Sequence, residues 1–342
     1  MEQAVAPGGT LPPEIAEALR RIGLLDGAPR AAAPLAGGVS SDIWRIELPD
    51  GRAVCVKRAL PRLRVAGDWR APVERSRYEA RWIRTAGAIV PDAVPQLIGE
   101  DEESGLFVMA YLDPRSHRWW KGELLEGAVR AEDAAAVAAV LVRIHAATAG
   151  DPVVPARFPT DAIFHAIRLE PYLEATAVRH PDLGPALLAL SRDTAACKRA
   201  LVHGDVSPKN ILLGPKGPVL LDAECAWFGD PAFDIAFCLN HLLLKCLARP
   251  AMRDRLLDAF GRFVERYAAG VGWEPWAGLQ ARVARLLPAL LLARIDGKSP
   301  VEYVTAAAAQ EAVRRIAKPL IAAPPPRLAD VAAAWAEGLD RV

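Results

Sequence analysis

The stretch from Leu201 to Phe237, LVHGDVSPKNILLGPKGPVLLDAECAWFGDPAFDIAF, constrains this chain more than any other. Two short apolar runs flank the turn signal Gly214-Pro215-Lys216-Gly217. They predict a β hairpin inside a region that otherwise reads as helix. Polar residues punctuate it at fixed places: His203-Gly204-Asp205 and Asn210 before the first run, Asp222 after the second, and Asp234 at the head of an apolar helix. H-G-D alone is an ordinary loop or cap. H-G-D-x-x-x-x-N, an apolar run and a second Asp at a strand end form a far more specific pattern.

The surrounding chain divides into two characters. From Ala36 to about Leu112, Ile43, Arg45 and Glu47 alternate with Trp44, Ile46 and Leu48. The chain turns at Pro49-Asp50-Gly51 and continues as Ala53 to Val56, a hairpin whose second strand ends at Lys57. Residues 72–86 predict a helix with Pro72 at its start, and a second hairpin ends near Tyr111. Beyond Asp113 helical patterns dominate: an alanine-rich helix through RAEDAAAVAAVLVRIHAAT, two more across 160–199, then Asp234–Leu247, the 250s to 260s, Gly278–Ile295, Val301–Lys318 and a last one after Pro324-Pro325-Pro326.

Composition narrows the function classes. With 342 residues, 52% hydrophobic and 24% charged, the chain can bury a sizeable core, which excludes a disordered chain. A net charge of +1 leaves no electrostatic footprint for nucleic acid or an anionic membrane, so small molecules are the expected partners. A homodimer stays open. Cysteines at 55, 197, 225, 238 and 246 lack any C-x-x-C spacing, against a zinc site or disulfide framework. No signal peptide or spanning segment is read, and the expected location is cytoplasmic.

Within the motif the residue types suit phosphoryl transfer: a carboxylate, Asp205, to orient and deprotonate an attacking hydroxyl, and the oxygens of Asn210 and Asp222 to hold magnesium against phosphates. Lys57 supplies complementary charge. A lysine at a strand end usually snorkels to the surface, but Glu79 in the following helix offers the partner that kinase-like enzymes use to hold an ammonium on phosphates, with Glu74 one turn earlier as the alternative. The turn Ala36-Gly37-Gly38-Val39-Ser40-Ser41 offers backbone amides and hydroxyls to phosphates, or is an ordinary turn before a strand.

These motifs resemble the aminoglycoside phosphotransferase and choline kinase superfamily over about residues 33–320. The resemblance implies an α+β, bilobal protein-kinase-like fold: an N-terminal extension over 1–32, a small β-rich nucleotide-binding N-lobe over 33–112, and a larger, mostly helical catalytic and substrate-binding C-lobe over 113–342. It also implies ATP and Mg2+ as cofactors, Asp205 as base, Asn210 and Asp222 as metal ligands, and His203 as support for the loop. Lys57, Glu79, Gly37, Gly38, Ser40 and Ser41 would bind nucleotide. Asp234 would anchor the catalytic segment, beside its plain reading as a helix cap.

Within the superfamily, VKRALPRLRVAGDW, RSRYEARW, WWKGELLEG and ARIDGKSPVEYV resemble 5-methylthioribose kinases. The chain departs from them at Asp222-Ala223-Glu224, where they carry D-P-E, at Ala293-Arg294, where they carry an arginine pair, and at Pro300, where they carry histidine. Glu224, Trp227, Asp230 and Arg294 are expected on the substrate side. Trp69, Trp119 and Trp120 read as packing or as nucleotide-loop or lid residues. The expected activity is ATP-dependent phosphorylation of a hydroxyl on a methylthioribose-like sugar. An aminoglycoside would need an acidic pocket, whereas residues 201–342 hold 17 Lys and Arg against 15 Asp and Glu. Choline or another amino alcohol would need an aromatic cage. A catalytically silent nucleotide-binding module is the alternative of another class.

Overall fold

The computed structural model describes residues 10–35, 41–61 and 72–341. Gly37, Gly38, Ser40 and Trp69 lie outside the described residues. The chain packs as two compact units. One contains the residues up to Arg118 together with Gly214–Glu224, the other Trp119–Leu213 and the residues from Cys225 onward.

The first unit begins with α1 (Pro13–Arg21), which has proline in its first turn, Glu14 near its N-terminus and Arg20 and Arg21 near its C-terminus, as the helix dipole favours. β1 (Ala31–Pro34), β2 (Ser41–Glu47) and β3 (Ala53–Ala59) follow, then α2 (Arg75–Ile89), β4 (Leu97–Asp101) and β5 (Leu106–Ala110). The strands form one antiparallel sheet in the order β1-β2-β3-β5-β4. Gly51, at φ 88°, makes the β2–β3 turn. Within the segment expected as an extension, Ile15 and Leu19 of α1 pack with Ile46, Val54, Val56 and Val108. Burying each such side chain contributes about 1.5–3 kcal/mol. Arg21 also grips Asp101 of β4 with two hydrogen bonds, 3.1 and 2.7 Å. α2 starts three residues later than expected because Pro72–Glu74 form a turn whose Pro72 carbonyl accepts the Arg75 amide. It runs to Ile89, until Pro91 disfavours helix at the residue before it.

The second unit is mostly helical. After the short strand β6 (Arg118–Trp119) come α3 (Trp120–Glu126), α4 (Ala131–Thr148), α5 (Val154–Arg157) and α6 (Asp161–Phe164). A π-helical stretch, His165–Glu174, carries Pro171 inside it. Proline lacks an amide and its ring crowds the preceding turn; the wider turn accommodates both. α7 (Ala175–Arg179) and α8 (Gly184–Ala196) lead to β7 (Ala200–Val202). β8 (Ile211–Gly214) leads into the predicted turn, β9 (Gly217–Leu220) beyond it belongs to the first unit, and β10 (Trp227–Gly229) of the second pairs antiparallel with β7, Trp227 opposite Val202. α9 (Ala232–Ala248), apolar but for Asp234, Asn240, His241 and Lys245, is buried along nearly its whole length. α10 (Arg253–Ala268), α11 (Trp276–Asp296), α12 (Ala307–Ala322) and α13 (Leu328–Leu339) complete it. α12 begins six residues after the predicted Val301, because the Val301 amide turns back to the Arg294 carbonyl and Ala306 is extended. Among the described residues no helix is long and apolar enough to cross a membrane.

Candidate active site

Two clusters of the predicted residues form, one in each unit. In the sheet unit, side chains alternate across β3: Val54 and Val56 join the core against α1, while Lys57 is directed to Glu79 of α2. Its Nζ lies 2.8 Å from Oε1 and 2.7 Å from Oε2 of Glu79, with the two residues 2% and 1% exposed. Lys57 also pairs with Asp222. Among the described residues Asp222 is the one non-glycine at positive φ, 66°. Such a conformation costs of order 1–3 kcal/mol and persists where the surroundings impose it.

Arg75, fully buried, donates to Glu224 at 2.9 Å and to the carbonyls of Pro72 and Leu60. Lys57 and Arg75 therefore face three carboxylates, Glu79, Asp222 and Glu224. Burial works against the Lys57 ammonium, but Asp222 and Glu79 outweigh it and hold its pKa above the ordinary lysine value. Burial pushes Glu79 up to about 8, against the pull of Lys57 and with Asp222 and Glu224 adding to it. Asp222, at the more exposed edge of this cluster, offers carboxylate oxygens of the kind a divalent cation takes. Glu224, expected on the substrate side, is committed here to Arg75.

In the helical unit the cluster is built around the loop after β7. Gly204 sits at φ 80°, and a Cβ there would lie 2.6 Å from the Cys225 carbonyl oxygen, so the chain turns at a position only glycine fills. Asp234, fully buried on α9, accepts the His203 amide at 2.7 Å on one oxygen and the Gly204 amide at 2.8 Å on the other. The α9 N-cap is Pro231, and Asp234 serves the loop. His145 Nε2 approaches Asp234 at 3.2 Å, while its Nδ1 lies 2.6 Å from the Tyr267 hydroxyl. Burial first, then the Asp234 charge, pushes the Tyr267 pKa well above the ordinary tyrosine value, so that hydroxyl keeps its proton to donate. The network fixes the backbone on either side of Gly204.

Asp205, 4% exposed, pairs with Arg168 from the π-helical stretch at 2.9 Å and with Lys209 at 3.2 Å. Its amide donates to His203 Nδ1 at 3.1 Å, so that imidazole nitrogen is an acceptor turned to the loop's own backbone. The Asn210 amide nitrogen donates to the Asp205 carbonyl at 3.1 Å, which leaves its Oδ1 as a hard oxygen donor suited to a metal. Magnesium-type ions use one or two carboxylates plus water and substrate phosphates. Asp222 in the first unit and Asn210 in the second each offer one such oxygen donor; among the described residues no group of three or more His, Cys, Asp or Glu side chains is placed to hold a metal.

The remaining predicted residues lie outside these two clusters. Ser41 is buried, its hydroxyl without a partner among the described residues. Trp227 stacks on Phe164 at 4.1 Å and donates to Asp161. Asp230 is gripped by Arg282 at 2.8 and 3.1 Å and accepts the Ala232 amide, so it serves α9 and α11. Arg294 reaches the Tyr172 hydroxyl and Ser299. Trp119 donates to the Lys209 carbonyl at 2.8 Å, and Trp120 is buried. Sequence reasoning missed Arg75, His145, Arg168 and Tyr267. For Arg75 the signal was its position four residues before Glu79 on one helix face; the other three sit in ordinary helical patterns.

The antiparallel-sheet unit, the helical unit and the fixed H-G-D loop define a chain of the kinase-like class. The model of the APH phosphotransferase enzyme family matches residues 31–279, and the chain belongs to that family. It is similar to the methylthioribose kinase of Yersinia enterocolitica serotype O:8, 26% identical over 253 residues, 66% of this chain and 62% of that protein. A methylthioribose kinase of Pectobacterium carotovorum is 26% identical over 262 residues, 68% and 64%. The match thus spans less than two thirds of these relatives' length. Among solved structures, the amicoumacin kinase hAmiN, in complex with AMP-PNP and Ca2+, covers 93% of this chain and 96% of its own at a TM-score of 0.60 and 14% identity. The macrolide 2'-phosphotransferase MphH of Brachybacterium faecium gives 0.51 at 19% identity, covering 91% and 97%. Both establish the kinase-like fold.

Proposed function

We propose that this protein transfers the γ-phosphoryl group of ATP, with Mg2+, to a hydroxyl of a small sugar-like metabolite of methylthioribose type. The observation that carries the reading is the fixing of Asp205: Asp234 holds the two amides before it, and Gly204 has no room for a side chain. A carboxylate held this way accepts the proton of the attacking hydroxyl as its oxygen bonds to the γ-phosphorus. The bond from that phosphorus to the β–γ bridging oxygen breaks, and ADP leaves. Lys57, tethered by Glu79, places positive charge for the nucleotide phosphates, and Asp222 and Asn210 would hold the metal. Mg2+ supplies charge neutralisation on those phosphates when bound. Similarity to methylthioribose kinases supports a sugar acceptor.

The test is an ADP-release screen with methylthioribose, other pentoses, amino alcohols and aminoglycosides, run on the wild type and on Asp205→Asn. That variant keeps size but loses the base, so kcat falls by about 10² or more with nucleotide affinity little changed. His203→Gln costs less in kcat and more in stability, since its Nδ1 braces the loop. The reverse ranking overturns the roles, and an aminoglycoside or choline as best acceptor by kcat/KM overturns the sugar.

A further inference from the structure

Beyond Asp205 the helical unit holds a group of buried basic side chains that the phosphoryl-transfer chemistry leaves unused. Phe237, His241 and Lys245 recur every fourth residue on one face of α9. Arg294 comes from the end of α11, and Tyr303 from the segment after it. Three nitrogens here are buried without a hydrogen-bond partner among the described residues: His241 Nε2, Lys245 Nζ and Arg294 Nε. Their residues are 5%, 0% and 8% exposed. His241 Nδ1 is spent on the Tyr303 hydroxyl at 2.8 Å, and Lys245 Nζ rests 4.4 Å from the Tyr303 ring centre.

The group is continuous with the catalytic loop. Arg168, which pairs with Asp205, lies 5.5 Å from the Phe237 ring, and that ring is 5.7 Å from His241. Arg168 and Arg294 also flank Tyr172 at 5.8 and 5.7 Å. A protein leaves a buried donor or cation unpaired at considerable cost, and such groups recur where a ligand completes them. A neutral hydroxyl would satisfy a donor but not the charge, and a cationic ligand would add to the repulsion.

We propose that His241, Lys245 and Arg294 form an acceptor subsite for an oxyanion, so that the metabolite phosphorylated here carries a carboxylate or phosphate besides the hydroxyl presented to Asp205. The acid-binding assignment rests on the phosphotransferase reading for the role of Asp205 and narrows its acceptor from a neutral methylthioribose-type sugar to a sugar-like acid. Electrostatics agrees. Burial, then Lys121 and Arg294, lowers the Lys245 pKa to about 7 against the opposing pull of Glu302 and Cys238. Burial, then Arg294, Lys245, Lys209 and Lys121, lowers that of His241 well below the ordinary value. The carboxylate of Glu302 is already paired with Lys121. An arriving oxyanion raises the Lys245 pKa again, so binding near neutral pH takes up a proton.

The experiment is titration calorimetry and thermal unfolding of the full chain with three matched probes: ribose, ribonate and ribose 5-phosphate. One or both anions bind and raise the melting temperature, ribose does not, and heats in buffers of different ionisation enthalpy reveal proton uptake. Which anion binds tells carboxylate from phosphate. Lys245→Met and Arg294→Met each weaken the anion by about ten- to a hundredfold, the scale of a hydrogen bond to a charged group, while Lys245→Arg keeps part of the affinity and Lys245→Met abolishes the proton uptake. Lys245→Met also raises the melting temperature of the free chain, because an unpaired buried ammonium is gone; a structural lysine gives a fall. Ribose binding as tightly as the anions, no anion binding, or unchanged anion affinity in both methionine variants overturns the proposal. Binding needs no turnover, so anion binding without ADP release from any acceptor of the screen refutes the kinase reading and leaves the subsite standing.

Discussion

Asp234→Asn tests the catalytic loop at its base. In the wild type one Asp234 oxygen receives both the His203 amide and His145 Nε2, while the other receives the Gly204 amide. Asparagine keeps the size but has one oxygen. Its best orientation places that oxygen where two donors converge, which sets its NH2 against the Gly204 N–H. One buried amide is orphaned, a loss of about 1–3 kcal/mol. Since Gly204 immediately precedes Asp205, the catalytic carboxylate shifts with it, and misplacement on the scale of 1 Å lowers kcat about 10²-fold. Urea unfolding measures the first effect, ADP release at saturating substrate the second, and hydrogen exchange at the Gly204 amide connects them by its acceleration. An Asp234→Asn protein with stability within 0.5 kcal/mol of the wild type and unaltered exchange at Gly204 would refute the anchoring argument, since surface-like substitutions stay inside about that margin.

Asp222→Ala abolishes turnover while circular dichroism stays native-like; wild-type rates in that variant remove Asp222 from the metal. Lys57→Ala lowers kcat/KM for ATP by loss of the ammonium on the phosphates, and an unchanged value returns Lys57 to a purely structural pair with Glu79. Glu79 carries a pKa pushed up to about 8, so the folded chain binds more protons there than the unfolded one, and stability attributable to this group falls as pH rises from about 5 to 8. Wild-type unfolding free energy therefore declines against Glu79→Gln across that window, and parallel pH profiles of the two proteins contradict it. Gly204→Ala meets both a left-handed backbone and the Cys225 carbonyl; it destabilises by about 1–3 kcal/mol or more, seen as a lower urea midpoint.

The parts of the fold legible in the sequence are those set by local signals. Alternation around Pro49-Asp50-Gly51 located β2 and β3, and Pro91 and Gly214-Pro215-Lys216-Gly217 punctuate the chain where elements change. What stayed hidden depends on contacts far apart in sequence. The Ala31–Pro34 segment has no strand propensity of its own and becomes a strand by pairing with β2. β10 is three residues long and exists through its register with β7. Asp230 and Trp227 sit within the motif that carries the chemistry, yet Arg282 and Phe164, distant in the chain, determine what they touch. Similarly, nothing in HAIRLEPYLE marks Arg168 as the partner of Asp205, because that pairing depends on how the stretch coils around Pro171.

The π-helical coil of His165–Glu174 also bears on how this segment can diverge. A helical residue occupies about 100° of turn, so a wider coil stores surplus chain that an α-helix of the same span would lack. Loss of a single codon between Arg168 and Glu174 would swing Arg168 about a quarter-turn around the axis relative to the helix that follows, away from Asp205, with the arginine itself unchanged. A one-residue gap between related chains at this segment would therefore be a change of chemistry rather than of length, and an alignment that slid it into a neighbouring loop would pair the wrong residue with Asp205.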